Sequence, residues 1–382
     1  MTRRFLFALA LIAVVAPATA VAVSGSSPVA GAWRVLPAAP IVADNGLTSA
    51  WGARQMFVFG RRVTVRSEDG AIFKSVDVAA AYDPVAGKWR RLSPLLGPTA
   101  NVPGRYRAAW TGREMLVWGA IDEAFNPLTN HWRRLPRSPA GGRALAVWTG
   151  RELIGWGGGC CGDAFADGVA YRPATNSWRR LARSPLAGSQ HPVGAWTGRE
   201  LVIFVGGFDP DGKPWPARLA RAAAYNPTTN SWRRIAPLPR ADGQEAQSFL
   251  GTAEAVWDGR EILVVGSLRR GTAGTAGYAY NARTNRWRPL PKAESNGRTG
   301  AAAVWTGRRL LVWGWKGARG EIPAHGFAYD PKTNRWSPLP PAPIFGRTNP
   351  TAVWTGHELI VWGGGEAYPR FADGAAFRPK TP

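Results

Sequence analysis

Short apolar runs punctuated by glycine turns recur seven times along this chain. The unit reads roughly A-V-W-T-G-R-E-L-I-V-W-G-G, a variable stretch, then A-Y-D-P-x-T-N-x-W-R-R-L-P. In the fourth copy, Gly194-Ala195-Trp196 and Glu200-Leu201-Val202-Ile203-Phe204 are β-rich runs separated by Thr197-Gly198-Arg199. Glycine takes the positive φ that a tight turn demands, so this spacing predicts a hairpin. A third run, Ala222-Ala223-Ala224-Tyr225, leads into Asn226-Pro227-Thr228-Thr229-Asn230. There proline presets a type I turn and asparagine tolerates the left-handed position before a fourth strand begins at Trp232. The second run is apolar at successive positions, as in Leu359-Ile360-Val361-Trp362. A strand of that kind is covered on both faces, which adjacent stacked sheets supply. Each unit therefore holds four strand signals and no helix signal.

The first tryptophan of the unit falls at Trp51, Trp110, Trp148, Trp196, Trp257, Trp305 and Trp354. An aromatic opens the second half at Tyr82, Phe125, Tyr171, Tyr225, Tyr280, Tyr329 and Phe377, and a closing tryptophan follows at Trp89, Trp132, Trp178, Trp232, Trp287 and Trp336. After Phe377 the closing W-R-R-L-P is absent; its counterpart stands near the other end, as Ala32-Trp33-Arg34-Val35-Leu36-Pro37. Repeats of about 40–60 residues with this content predict a circular array of small sheets. The fold expected is all-β: a seven-bladed β-propeller of four-stranded antiparallel blades. The N-terminal strand would complete the last blade and remove a free edge.

A hydrophobic strand ending in Gly-Gly, followed by Y-D/N-P-x-T-N-x-W, resembles the kelch repeat, although Val265-Gly266-Ser267 and Trp118-Gly119-Ala120 lose the second glycine. The resemblance covers residues 31–382 and implies a galactose oxidase-like propeller closed by strands from both termini. One propeller is thus expected over 31–382, behind a signal peptide at 1–20 and a short linker at 21–30. Arg3 and Arg4, the apolar run Phe5 to Val15 and the A-x-A site Ala18-Thr19-Ala20 make that signal. The run is too short to anchor in a membrane, so a secreted or envelope-associated monomer is expected, without a transmembrane anchor.

The net charge of +23 invites a nucleic-acid reading. Its placement argues otherwise, because Arg34, Arg90, Arg91, Arg133, Arg134, Arg179, Arg180, Arg233, Arg234, Arg286, Arg288 and Arg335 flank the closing tryptophans. On outer strands such charge opposes edge-to-edge aggregation. Attraction to anionic envelope polymers or lipid headgroups is the alternative use. Cys160 and Cys161 are adjacent between glycines, in a compartment where a strained vicinal disulfide can form. No ligand spacing around them makes a metal site.

Eighteen of the 20 tryptophans fall on repeat positions, which leaves Trp215 and Trp315. Both stand between second and third strands, in the loops that vary from copy to copy. The same side of the ring collects Asp44, Asn45, Arg105, Arg143, His191, Arg298, His325 and Arg347. The candidate ligand-binding residues are accordingly Arg143, Arg298, Arg347, His191, His325, Trp215 and Trp315. The arginines recur just ahead of the innermost strand, five or seven residues before its tryptophan, and either ring the axis to receive an anionic group or bond carbonyls of their own loops. His131 and His357 belong to hairpin turns, and Tyr106, Tyr278 and Tyr368 are the tyrosines outside the repeat.

No nucleophile elbow, phosphate loop or HExxH motif occurs, and Asp209-x-Asp211-Gly212 lacks the later ligands of a calcium loop. No catalytic residue, metal or cofactor is assigned. The expectation is an exported binding module for a protein or anionic glycan. The rival is a carbohydrate-modifying enzyme with an axial site: an epimerase or mutarotase, or a copper oxidase as the galactose oxidase resemblance implies.

Overall fold

The computed structural model describes residues 27–66, 72–96, 106–119, 122–140, 144–159, 163–206, 219–239, 250, 253–266, 277–291, 301–314, 322–365 and 370–380. They form seven four-stranded antiparallel sheets arranged in a ring. The N-terminal strand is β1 (Gly31–Val35). Blade 1 is β2 (Asn45–Gly52), β3 (Gln55–Arg66), β4 (Ile72–Asp83) and β5 (Lys88–Arg91), and blade 2 is β6 (Arg107–Trp110), β7 (Met115–Trp118), β8 (Asp122–Asn126) and β9 (His131–Arg134). Blade 3 is β10 (Leu145–Trp148), β11 (Leu153–Trp156), β12 (Gly168–Arg172) and β13 (Ser177–Arg180), and blade 4 is β14 (Val193–Trp196), β15 (Leu201–Phe204), β16 (Ala222–Asn226) and β17 (Ser231–Arg234). Blade 5 is β18 (Glu254–Trp257), β19 (Ile262–Val265), β20 (Gly277–Asn281) and β21 (Arg286–Pro289). Blade 6 is β22 (Ala302–Trp305), β23 (Leu310–Trp313), β24 (Phe327–Asp330) and β25 (Arg335–Pro338). Blade 7 joins β26 (Thr351–Trp354), β27 (Leu359–Trp362) and β28 (Gly374–Pro379) to β1, in the order β1-β28-β27-β26.

The expected clasp is therefore present: β1 lies antiparallel to β28, with Trp33 opposite Phe377. Innermost strands pack one on the next around the axis, and β2 against β26 closes the circle. The second strands β7, β11, β15, β19, β23 and β27 are buried at every position, as their unbroken apolar runs require. Among the described residues the apolar core is seven clusters, each spanning two neighbouring blades. Stability thus resides between blades as much as within them.

The turns follow the predicted chemistry. Asn130, Asn176, Asn230, Asn285 and Asn334 take φ of 57°, 48°, 50°, 54° and 54° before their fourth strands, and Gly87 substitutes in blade 1. One departure sits in β11, where Gly155 replaces the Val or Ile of the other second strands. A Cβ there would fall inside the indole ring of Trp118 from the neighbouring blade. Gly155 is a packing requirement and not a turn.

Candidate functional site

In an antiparallel meander, the first-to-second and third-to-fourth turns emerge on one face, and the second-to-third loops and blade connections on the other. On the hairpin face the first turns have one length in six blades: 111–114, 149–152, 197–200, 258–261, 306–309 and 355–358. In four of them a threonine hydroxyl both accepts from and donates to the backbone across the turn, as Thr111 does with Glu114, and in a fifth Thr355 accepts from the Glu358 amide. The residue closing most of these turns, a glutamate, meets the arginine after the closing tryptophan of its own blade.

That arginine reaches on into the next blade. Arg133 grips Glu114 through two nitrogens at 3.0 and 2.7 Å, and touches the Tyr171 hydroxyl and Asn176 of blade 3. Arg179 bonds Glu152 and then Tyr225 and Asn230; Arg288 bonds Glu261 and then Tyr329 and Asn334. Arg34 joins Glu358 to Tyr82, and Arg90 joins Gln55 to Asn130 while lying over the Phe125 ring. Arg233 is held by Glu200 at 2.9 and 2.6 Å and bonds the Tyr280 hydroxyl of blade 5. Charge-assisted bonds, bidentate to the glutamate at Arg133, Arg179, Arg233 and Arg288, place the arginines between blades. Arg133 and Arg233 hold the Glu114 and Glu200 carboxyls below their ordinary value, and burial pushes the Tyr225, Tyr280 and Tyr329 phenols up. The six arginines are thus inter-blade links, a more specific use than the edge charge expected from sequence.

A second cycle runs alongside. Every closing tryptophan donates its indole N–H to the carbonyl four residues beyond the closing tryptophan of the preceding blade. The pairs are Trp33 to Pro340, Trp89 to Pro37, Trp132 to Ser93, Trp178 to Pro136, Trp232 to Ala182, Trp287 to Ala236 and Trp336 to Pro291, at 2.8–3.2 Å.

The loop face has no such uniformity. The second-to-third connection spans only 119–121 in blade 2 but 205–221 in blade 4. In blade 1 it becomes an arm, because β3 and β4 stay paired beyond the blade from Gly60–Val78 out to Arg66–Ile72. Arg62 and Val76 face each other across this arm and are both exposed. This arm was missed from the sequence; the signal that could have found it is the alternating run Val63-Thr64-Val65 ahead of Asp69-Gly70, a hairpin dipeptide. At its base Arg61 Nε donates to Asp77 at 3.0 Å and to the Tyr106 hydroxyl at 2.7 Å, and Tyr106 donates to Asp77. Burial first, then the Asp77 carboxylate, push the Tyr106 phenol up. The cluster ties the arm to the strand entering blade 2 and leaves Tyr106 as a buried neutral donor. Asp44 is spent similarly, accepting from the Val63 amide at 2.8 Å.

Arg347 shows the second of the two arginine uses weighed from sequence. Its guanidinium is fully enclosed, bonds Asp373 through both Nη nitrogens at 2.6 and 3.2 Å, donates Nε to the Phe345 carbonyl at 2.9 Å, and lies 4.1 Å from the Phe371 ring centre. It therefore braces its own loop against the one before β28. His191 is exposed ahead of blade 4, with its amide on the Ser189 hydroxyl. His325 is half-buried in the blade 6 loop, its ring 5.5 Å from that of Phe327. The structure sets these two histidines and Arg347 on separate blades of one face.

Arg105, Arg143, Arg298, Trp215, Trp315, Tyr368, Cys160, Cys161, the signal peptide and most of the linker lie outside the described residues. The loop that carries the cysteine pair begins in Gly157, Gly158 and Gly159, all at positive φ, and Gly158 donates to Ser189 at 2.7 Å. Among the described residues no group of His, Cys, Asp and Glu is gathered closely enough to hold a metal ion, and no helix is long and apolar enough to cross a membrane. No protein-family model matches the chain, and no curated protein matches it.

Proposed function

We propose that this chain is an exported kelch-like propeller whose work is binding, and that it takes a protein or an anionic glycan on the loop face. The observation that carries this reading is the contrast between the two faces. On the hairpin face, the tryptophan–carbonyl contacts recur in every blade and the arginine links at every junction but that between blades 6 and 7. On the loop face the connections vary in length and sequence on a rigid frame, the arrangement binding proteins use, and only blades 3 and 7 share Gly-Gly-Gly and Phe-Ala-Asp ends. The blade 1 arm adds an exposed cation, Arg62, beside an exposed apolar side chain, Val76. The net charge of +23 favours an anionic partner, with an attraction that salt weakens.

The test is a screen of the secreted form against cell-wall polymers and glycans, with capture of protein partners in parallel. An Arg62→Glu, Val76→Asp variant is run beside it. Binding that the arm variant reduces supports the reading. Failure to bind any polymer or protein, or binding indifferent to the arm variant and to salt, overturns it.

A further inference from the structure

The inter-blade link is missing at one junction. Between blades 6 and 7 the arginine position is Ser337, the glutamate position is Arg309, and the tyrosine position is Phe377. Where the other junctions are filled by a guanidinium, this one opens a pocket of about 560 Å³ lined by Ser27, Arg309, Asp330, Thr333, Arg335 and Ser337. Its volume lies in the range of small-molecule sites, roughly 300–1,000 Å³.

The charges in it are not balanced. Arg309 bonds Asp330 through Nε alone, at 3.2 Å, and Asp330 also caps its own turn through the Lys332 amide. Both Nη nitrogens of Arg309 and the whole guanidinium of Arg335 have no partner among the described residues. Two guanidinium groups face one carboxylate, with three hydroxyls beside them. A planar fork of unspent N–H donors matches a carboxylate or phosphate in two parallel bonds.

We propose that this pocket is a site for a small ligand bearing a carboxylate or a phosphate. Arg309 grips the anionic group through its Nη nitrogens, Arg335 supplies the second cation, and Ser27, Thr333 and Ser337 receive the ligand's remaining polar groups. The site is on the hairpin face and does not depend on the loop-face reading above.

Blade 1 supplies the test. There Gln55, Arg90 and Asp83 occupy the positions held by Arg309, Ser337 and Asp330 in blade 6, and Arg90 closes the junction. An Arg309→Gln, Ser337→Arg variant copies that arrangement. It moves one guanidinium across the pocket and leaves the net charge unchanged. Calorimetric titration with glucuronate, glucose 6-phosphate and neutral glucose should show one anion site in the natural chain and none for glucose. The double variant should bind at least roughly tenfold more weakly, the loss of one or two charge-assisted bonds, with its melting temperature equal or raised. The stronger of the two anions identifies the carboxylate or the phosphate as the source. If the double variant does not fold, Arg309→Gln alone decides by the same loss. Equal binding by variant and natural chain, equal binding of glucose, or no binding of either anion overturns the proposal.

Discussion

The indole N–H of Trp33 donates to the Pro340 carbonyl at 2.8 Å, joining residues 307 positions apart. The same strand pairs with β28, sets the Trp33 ring 5.2 Å from that of Phe377, and starts the Arg34 link to Glu358 and Tyr82. One short segment thus carries a ladder, an aromatic contact and both rim cycles across the closure. Trp33→Ala is expected to cost about 3–5 kcal/mol, the range for truncating a packed tryptophan. Trp33→Phe, which keeps a ring but orphans the carbonyl, should cost about 1–3 kcal/mol. Chemical denaturation reads both. Removal of the chain through Trp33 should expose β28 as a free edge and lower the stability of the whole ring, seen as one cooperative transition at a lower midpoint.

Gly155 and Trp118 make a second checkable pair. Comparison among the repeats alone would recommend valine at position 155, as at Val117, Val264, Val312 and Val361. Because a Cβ there would enter the Trp118 ring, Gly155→Val should destabilise the chain or block its folding. Adding Trp118→Phe makes the contact resemble Phe59 beside Val117 and should recover part of the loss. Absence of any coupling between the two changes in a double-mutant cycle would show that the glycine is retained for another reason.

Strands, turns and closure were legible because they obey local rules repeated seven times. Asparagine before five of the fourth strands, glycine in six of the first turns and the displaced Trp33 segment each carry their own signal. The Arg133–Glu114–Tyr171 link was present in the sequence too, as a recurring arginine, a recurring glutamate and a recurring tyrosine. It reads as edge charge because partners lying on different blades leave no local pattern. The loop face was less legible still, since only blades 3 and 7 share a connection, Gly-Gly-Gly to Phe-Ala-Asp, and the other loops have no register to borrow. Arg347 has the same position relative to its strand as an axial ligand would, and only the enclosure by Asp373 and Phe371 assigns it to the loop. The blade 6–7 pocket is visible in sequence only as three exceptions, Arg309, Ser337 and Phe377, whose meaning depends on their meeting at one junction.

The first hairpin of blade 1 departs from the other six. Gly52 pairs with Gln55 across a two-residue turn in which Ala53 and Arg54 both take positive φ, 47° and 60°. Such a turn favours Asn-Gly, and a residue with a Cβ is strained in it. Both side chains are exposed, so nothing is lost by changing them. Ala53→Asn with Arg54→Gly should stabilise the chain by about 1–2 kcal/mol in total. A thermal melt that does not move would show the strain to be absent.

Acid should loosen the rim in a defined direction. Hydrogen bonds from Arg133 and Arg233 hold the Glu114 and Glu200 carboxyls below the ordinary value of 4.5, and burial opposes this less strongly. The folded chain therefore binds these protons less readily than the unfolded chain. The stabilisation is fully present above pH 4.5 and is lost as pH falls through the depressed folded values. Denaturation midpoints measured from roughly pH 6 down to roughly pH 3 should fall, and the Glu114→Gln, Glu200→Gln variant should show a shallower decline. At neutral pH the same variant should be less stable than the natural chain, because two charge-assisted contacts become neutral ones. The two midpoint curves should therefore converge toward low pH. Parallel curves would mean that the acid sensitivity of the ring arises elsewhere than in these glutamate–arginine links.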